Sequence, residues 1–309
     1  KRENYLNRLI AKRDNGFIKI ITGVRRCGKS FLLFTLYKEY LLQSEVSPDC
    51  IIALALDNAL NAKYRDPLVL SQYLEERTAE IGKRYYIFLD EIQFVGKKKV
   101  QSNPEIYITF YDVLNGLQEK GYADIYVTGS NSKMLSKDVA TEFRGRGDEL
   151  HIAPLSFKEY YDFVGGSKEE KLTDYMLYGG MPRLLALTDE KDKKDYLSSL
   201  YSELYVKDIV ERNGIEREDI LNDILDFLAS QISSLTNPTN IANALTSMKN
   251  EKVNSTLVSN YVQHIIDSFL ISVVKRYDVK GKQLLKTLGK HYIIDLGFRN
   301  MLLGYRDAD

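Results

Sequence analysis

The chain has 309 residues and a mass of 35.5 kDa, 44% apolar and 28% charged, which is long enough for about two domains and a core without covalent staples. Its 43 basic and 43 acidic residues cancel, which excludes whole-chain attraction to nucleic acid or membrane and leaves only local basic surface. Two cysteines (Cys27, Cys50) and three scattered histidines (His151, His264, His291) exclude a disulfide scaffold, a Cys-based structural zinc site and an HExxH centre.

The first half alternates short apolar runs with helical patterns, the signature of a parallel α/β sheet. Phe17–Thr22 reads as a strand running into Gly23-Val-Arg-Arg-Cys-Gly28-Lys29-Ser30, a full GxxxxGK[ST] phosphate loop, and Phe31–Leu42 reads as the helix leaving it. In such a loop Gly23 and Gly28 let backbone N–H groups turn toward phosphate, Lys29 faces the β- and γ-phosphates and the Ser30 hydroxyl ligates Mg²⁺. Arg25 and Arg26 either touch nucleotide or a partner, or pair with nearby acids. Cys27 is a small filler or, less expectedly, a redox-sensing thiol. Ile51–Asp57 is a second strand. Tyr85–Asp90 is a third, ending in adjacent carboxylates: Asp90 at the position that holds Mg²⁺, and Glu91 where a base can deprotonate water.

Gly96–Pro104, with Lys97, Lys98 and Lys99, is expected to be a solvated loop rather than a substrate contact. Tyr107, Phe110, Tyr111, Leu114 and Leu117 recur at helical spacing. Ile125–Thr128 is a fourth strand. Its exit, Thr128-Gly129-Ser130-Asn131, is open to two readings, a γ-phosphate or water sensor and an ordinary helix cap. Arg144 and Arg146 sit in a Gly-rich turn before a fifth strand, Glu149–Ala153; either one neutralises charge on a transferring phosphoryl group, or both pair with Glu142, Asp148 or Glu149.

Gly165–Lys171, Thr188–Asp195 and Glu211–Asp219 are charged and turn-like, with helical segments between them. Gly179-Gly180-Met181-Pro182-Arg183 reads as a helix break, with Arg183 an outside candidate for a second nucleotide sensor. A domain boundary is placed near Asn213-Gly214. Beyond it come a helix through Leu221, Ile224, Leu225, Leu228 and Ile232, a short helix from Pro238 to Leu245, and a helix over Ser255–Phe269. Strands Leu270–Arg276 and Leu284–Leu288 follow, joined by a turn at Asp278–Lys282. Helix, short helix, helix and hairpin is a winged helix-turn-helix pattern. No apolar run reaches the ~20 residues of a membrane helix, so a soluble, cytoplasmic protein is expected. The opening Lys1 and the abrupt end at Asp309 fit part of a longer protein.

Together the strings GVRRCGKS, IFLDEIQ, VTGSNSKML, FRGRGDELHIAPLSFKEY, YMLYGGMPRLL and KRYDVKGKQLLKTLGKHYIIDLGFRN resemble prokaryotic AAA-type ATPases that carry a C-terminal domain of unknown function. The resemblance implies an α/β P-loop NTPase with a parallel sheet and helices on both faces over 1–165, a helical lid over 166–215, and a winged-helix domain over 216–309. It also implies a nuclease-like part that should start about where this sequence stops. It gives Lys29 and Ser30 to phosphate and Mg²⁺, Asp90 to the metal, Glu91 to the base, the 128–131 turn to the sensor, and makes Arg146 a better finger candidate than Arg144. The candidate set is therefore Glu91, Lys29 and Arg146 for catalysis, with Ser30 and Asp90 for metal. Gly23, Arg26, Cys27, Gly28, Lys29, Ser30, Phe31 and Ser130 are the candidates for nucleotide.

The leading expectation is an ATP hydrolase, with ATP and Mg²⁺ as cofactors, that switches or loads duplex DNA or a protein partner, with a homo-oligomer as one form it could take. ATP is preferred because no NKxD guanine signature appears. A DNA-binding regulator with little turnover and a P-loop small-molecule kinase are the rivals. From Lys275 to Lys290 six basic residues (Lys275, Arg276, Lys280, Lys282, Lys286, Lys290) stand against Asp278 alone, where a wing would meet DNA. The helix before them offers only Ser255, Thr256, Ser259, Asn260 and Gln263, so recognition would lean on phosphates, and protein docking is an equal alternative.

Overall fold

The computed structural model describes residues 2–100, 103–130, 143, 145–274 and 289–305. The chain forms two compact units: Lys1–Gly23 with Gly28–Ile152, and Val24–Cys27 with Ala153–Asp309.

The first unit is built on five parallel strands, β1 (Ile18–Thr22), β2 (Ile51–Ala55), β3 (Tyr85–Asp90), β6 (Ala123–Gly129) and β7 (Gly147–His151), in the order β2-β3-β6-β1-β7. Every residue of β1, β3 and β6 is buried, as expected for central strands covered on both faces. On one face Ile18, Ile20, Ile87, Leu89, Ile125 and Val127 pack with Leu70 and Leu74 of the helix Pro67–Arg77 and Leu114 and Leu117 of the helix Phe110–Glu119. On the other, Tyr37 from the helix at 29–43 lies 5.9 Å from the Phe88 ring and 4.9 Å from that of Tyr126. A buried polar chain runs under this helix. The Lys19 ammonium pairs with Asp124, which also accepts from the Tyr126 hydroxyl at 2.7 Å and the Asp14 backbone N–H at 2.9 Å. Burial pushes the Lys19 ammonium below its ordinary range, opposed by Asp124.

The stretch expected as a solvated loop after β3 is instead an antiparallel hairpin of β4 (Lys98–Val100) and β5 (Asn103–Ile108), pairing Lys98 with Ile108 and Lys99 with Tyr107. Ile106, Tyr107 and Ile108 favour extended backbone, and Lys98 is held by Asp66 at 2.6 Å. Tyr107 therefore belongs to a strand. The helix starts after Thr109, whose side chain forms a capping box with Asp112.

The second unit is mostly helical. The charged stretches expected as turns mainly open helices: Ser167 caps Lys168–Tyr178 and Asp189 caps Glu190–Ser199, so their acids occupy first turns, where the helix dipole favours them. The latter helix continues through a π-helical stretch, Leu200–Val206, into Lys207–Asn213, which Gly214 ends in the left-handed region. Helices Glu218–Ser230, Pro238–Lys249 and Ser255–Asp267 follow, with a short strand β8 (Leu235–Thr236) after the first of them. β9 (Ile271–Val274) and β10 (Gly289–Ile293) pair antiparallel, and β8 joins the other edge of β10. The partner of β9 is thus Gly289–Ile293; Leu284–Leu288 and the basic turn lie outside the described residues.

Two motifs lock together here. Gly179, at φ 80°, ends the helix Lys168–Tyr178, and the buried Asp295 carboxylate accepts from Gly180 N–H at 2.7 Å and Gly297 N–H at 2.9 Å. Burial pushes Asp295 up to about 6, against those backbone hydrogen bonds. A Cβ on Gly180 would overlap the Leu155 carbonyl, whose own N–H donates to Gly180 O at 2.7 Å. Gly180→Ala should therefore destabilise the chain by about 3 kcal/mol or more, read as a lower denaturant midpoint; an unchanged midpoint would show that the packing there yields.

Candidate functional site

Parallel strands deliver their C-terminal ends to one edge, and ligands of such sheets gather there. β1 runs out into the phosphate loop. Gly23 (φ 144°) and Gly28 (φ 101°) take backbone conformations that side chains resist, and Gly28 caps the helix that begins at Lys29. The Lys29 ammonium is buried, donates to Gly23 O at 3.0 Å and lies 3.7 Å from Glu91 Oε1.

β6 sits between β1 and β3, which brings its exit onto the carboxylates. Ser30 Oγ donates to Asp90 Oδ2 at 2.6 Å, and Thr128 Oγ1 donates to Asp90 Oδ1 while accepting from the Glu91 backbone N–H at 2.9 Å. Thr128 is thus a splint across both acids. Burial pushes the Asp90 carboxyl above the usual range, opposed by the Ser30 and Thr128 hydroxyls. Glu91 has φ 52°, a left-handed conformation costly for a residue with a Cβ, and strain of this kind collects at functional sites. Its Oε2 accepts from Ser130 Oγ at 3.1 Å and from Gln93 Nε2.

Gly23, Gly28, Lys29, Ser30, Asp90, Glu91 and Ser130 are therefore brought together. Phe31 follows on the first helical turn with its ring exposed. Val24–Cys27, the crown of the loop, pack within the second unit: Cys27 is buried, and Arg26 is exposed at φ 60°. Arg25 pairs with Asp208 at 3.6 Å and its carbonyl accepts from the Tyr205 hydroxyl at 2.9 Å. Arg183 lies over the Tyr196 ring at 5.8 Å. Asn131 and Arg144 lie outside the described residues.

Arg146 is not brought to these groups. It precedes β7, and Gly147 pairs with Ile18 at the start of β1, so it stands at the opposite edge from Lys29, roughly 16 Å away over five residues of strand. There its guanidinium is 3.6 Å from Glu119, both half exposed. Sequence reasoning missed Gln93 as a site residue; the short 3₁₀ turn Ile92–Phe94 carries it back to Glu91.

The donor set fits a magnesium nucleoside triphosphate. Two glycines keep the loop backbone open, a buried ammonium faces it, and a hydroxyl already bonded to a carboxylate offers hard oxygens.

An "AAA domain" family model matches residues 15–161, and a "domain of unknown function" model matches residues 169–309. An uncharacterized protein of Haemophilus influenzae is 35% identical over 314 residues, covering 100% of this chain and 74% of its own length. Another, from Methanocaldococcus jannaschii, is 29% identical and is covered over 62% of its length, with 93% of this chain. The crystal structure of Cdc6p from Pyrobaculum aerophilum aligns with 98% of this chain and 93% of that one at 12% identity and a TM-score of 0.38. On its match to the Haemophilus relative and to the AAA domain model, the chain belongs to the prokaryotic AAA-type P-loop ATPases that carry a C-terminal domain of unknown function.

Proposed function

We propose that the chain is a magnesium-dependent ATP hydrolase that uses its nucleotide state to switch or load a partner. The observation that carries this reading is the convergence of Lys29, Ser30, Asp90 and Glu91 at one sheet edge, splinted by Thr128. Gly23, Gly28 and Lys29 would hold the phosphates, and Ser30 with Asp90 the Mg²⁺. Bound there, the magnesium nucleotide supplies an electrophilic γ-phosphorus and a good leaving group. Glu91 takes the proton of the attacking water at a carboxylate oxygen, Lys29 balances negative charge, and Thr128 keeps the two acids in register. Residues 1–165 form the ATPase core in this reading and 166–215 its helical lid. The reading of 216–309 as a winged helix is supported by the order helix, short strand, helix, helix and two antiparallel strands.

Arg146, at the far edge of its own sheet, fits a finger presented to a neighbouring copy of the chain. Arg146→Ala should slow turnover by about a thousandfold with little loss of ATP affinity. Mixing it with Lys29→Ala should restore phosphate release through hybrid interfaces; no recovery would rule out action in trans.

The partner put to the test first is duplex DNA, held through phosphates by the basic run from Lys275 to Lys290, with a protein partner the equal alternative. The test is phosphate release by the full chain with Mg·ATP, with and without duplex DNA, alongside a salt titration of DNA binding. Changing Lys280 and Lys282 to Glu should flatten the log-affinity against log-salt slope by about one for each phosphate no longer engaged. No DNA binding at low salt, or a slope indifferent to the reversal, would favour a protein partner. ADP formed only on adding a small-molecule acceptor, with the phosphoryl group carried by that acceptor and none released, would favour a kinase.

A further inference from the structure

Gln93 is a polar side chain at the site that the assigned roles leave out. Its Nε2 donates to Glu91 Oε2 and lies 3.4 Å from Ser130 Oγ, while Ser130 Oγ itself donates to the same carboxylate oxygen at 3.1 Å. A carboxylate only accepts hydrogen bonds, so the amide is fixed with its nitrogen toward Glu91 and its oxygen directed elsewhere. That oxygen, Gln93 Oε1, is buried and has no hydrogen-bond partner among the described residues. Leaving a buried acceptor without a donor is costly, so its retention beside the strained Glu91 backbone calls for a donor that arrives with the ligand.

We propose that Gln93 is the positioning residue for the hydrolytic water, a role that rests on the hydrolase reading above. Its amide nitrogen, with Ser130, holds the Glu91 carboxylate in one rotamer. Its amide oxygen accepts a hydrogen bond from the water whose other proton Glu91 removes. Two acceptors fixed to each other define where the water's lone pair points, which a lone carboxylate on a flexible side chain does not. The proton leaves to Glu91, the water oxygen forms the new bond to phosphorus, and the bond to the ADP oxygen breaks; Gln93 is unchanged throughout.

The test compares the parental chain with Gln93→Met, which keeps length without either polar atom, and Gln93→Ala. Three quantities are measured: equilibrium affinity for a non-hydrolysable ATP analogue, affinity for ADP with aluminium fluoride (which holds a water or hydroxide at the attacking position), and phosphate release. Both variants should bind the ATP analogue within about threefold of the parent, because Gln93 acts only once water is being committed. The aluminium fluoride complex should weaken by about tenfold or more, with a matching fall in kcat at unchanged KM. Unchanged aluminium fluoride affinity in either folded variant would overturn the proposal while leaving Glu91 as base. A parallel fall in both affinities would also overturn it, by showing a merely structural role. If the parental chain releases no phosphate and Glu91→Gln changes nothing, the hydrolase reading fails and the proposal with it.

Discussion

Lys29→Ala is expected to abolish measurable ATP binding and turnover. The ammonium is buried, donates to Gly23 O at 3.0 Å and stands 3.7 Å from the Glu91 carboxylate, so it is placed before any ligand arrives. A charge-assisted hydrogen bond contributes about 1.5–3 kcal/mol, so losing two to phosphate would weaken binding by about a hundredfold or more. The substitution also leaves Glu91 without its nearby cation, and that uncompensated charge repels a polyanion. Nucleotide titration and phosphate release on the same preparation check this. Parental affinity and rate in the variant would remove the phosphate-loop assignment.

Glu91→Gln separates binding from chemistry. Gln is isosteric and its amide oxygen can take the place of Oε2 beside Ser130 and Gln93, so the site should keep its shape. The base is gone, and a general base is worth about a hundred- to ten-thousand-fold in rate. ATP should therefore stay bound and phosphate release should fall by that factor. Asp90→Asn should act differently: its carboxylate is bonded to Ser30, the other metal candidate, so the loss should appear as a raised Mg²⁺ requirement. Hydrolysis at the parental rate in Glu91→Gln would favour a binding protein or a kinase.

Much of this site was legible in the amino-acid sequence because its parts are local. The phosphate loop needs a strand before it and a helix after it, and both sit beside the motif; the Asp90-Glu91 pair ends an apolar run in the same way. Four of the five parallel strands were visible as apolar runs between turn signals; the fifth, Gly147–His151, is mostly polar and starts two residues before the expected Glu149. What was not visible depends on strand order. Only the insertion of β6 between β1 and β3 turns Thr128 from an ordinary exit-turn residue into the splint between Asp90 and Glu91. Likewise the left-handed backbone at Glu91, which with the following 3₁₀ turn returns Gln93 to its carboxylate, leaves no trace in composition or periodicity. The edge occupied by Arg146 could have been deduced: it precedes its strand whereas Lys29 follows one, and parallel strands put those positions at opposite ends. The hairpin at Lys98–Ile108 was hidden by its lysines, which read as solvated loop but serve equally well on an exposed two-stranded ribbon.

The most direct test of the central claim is phosphate release from ATP by the full chain, in Mg²⁺ and in excess chelator, run beside Glu91→Gln under single-turnover conditions. The account predicts release in Mg²⁺ that chelator abolishes, and a variant that retains bound ATP but turns it over at least about a hundredfold more slowly. Equal release from the parental and variant chains, or release indifferent to chelator, would contradict it.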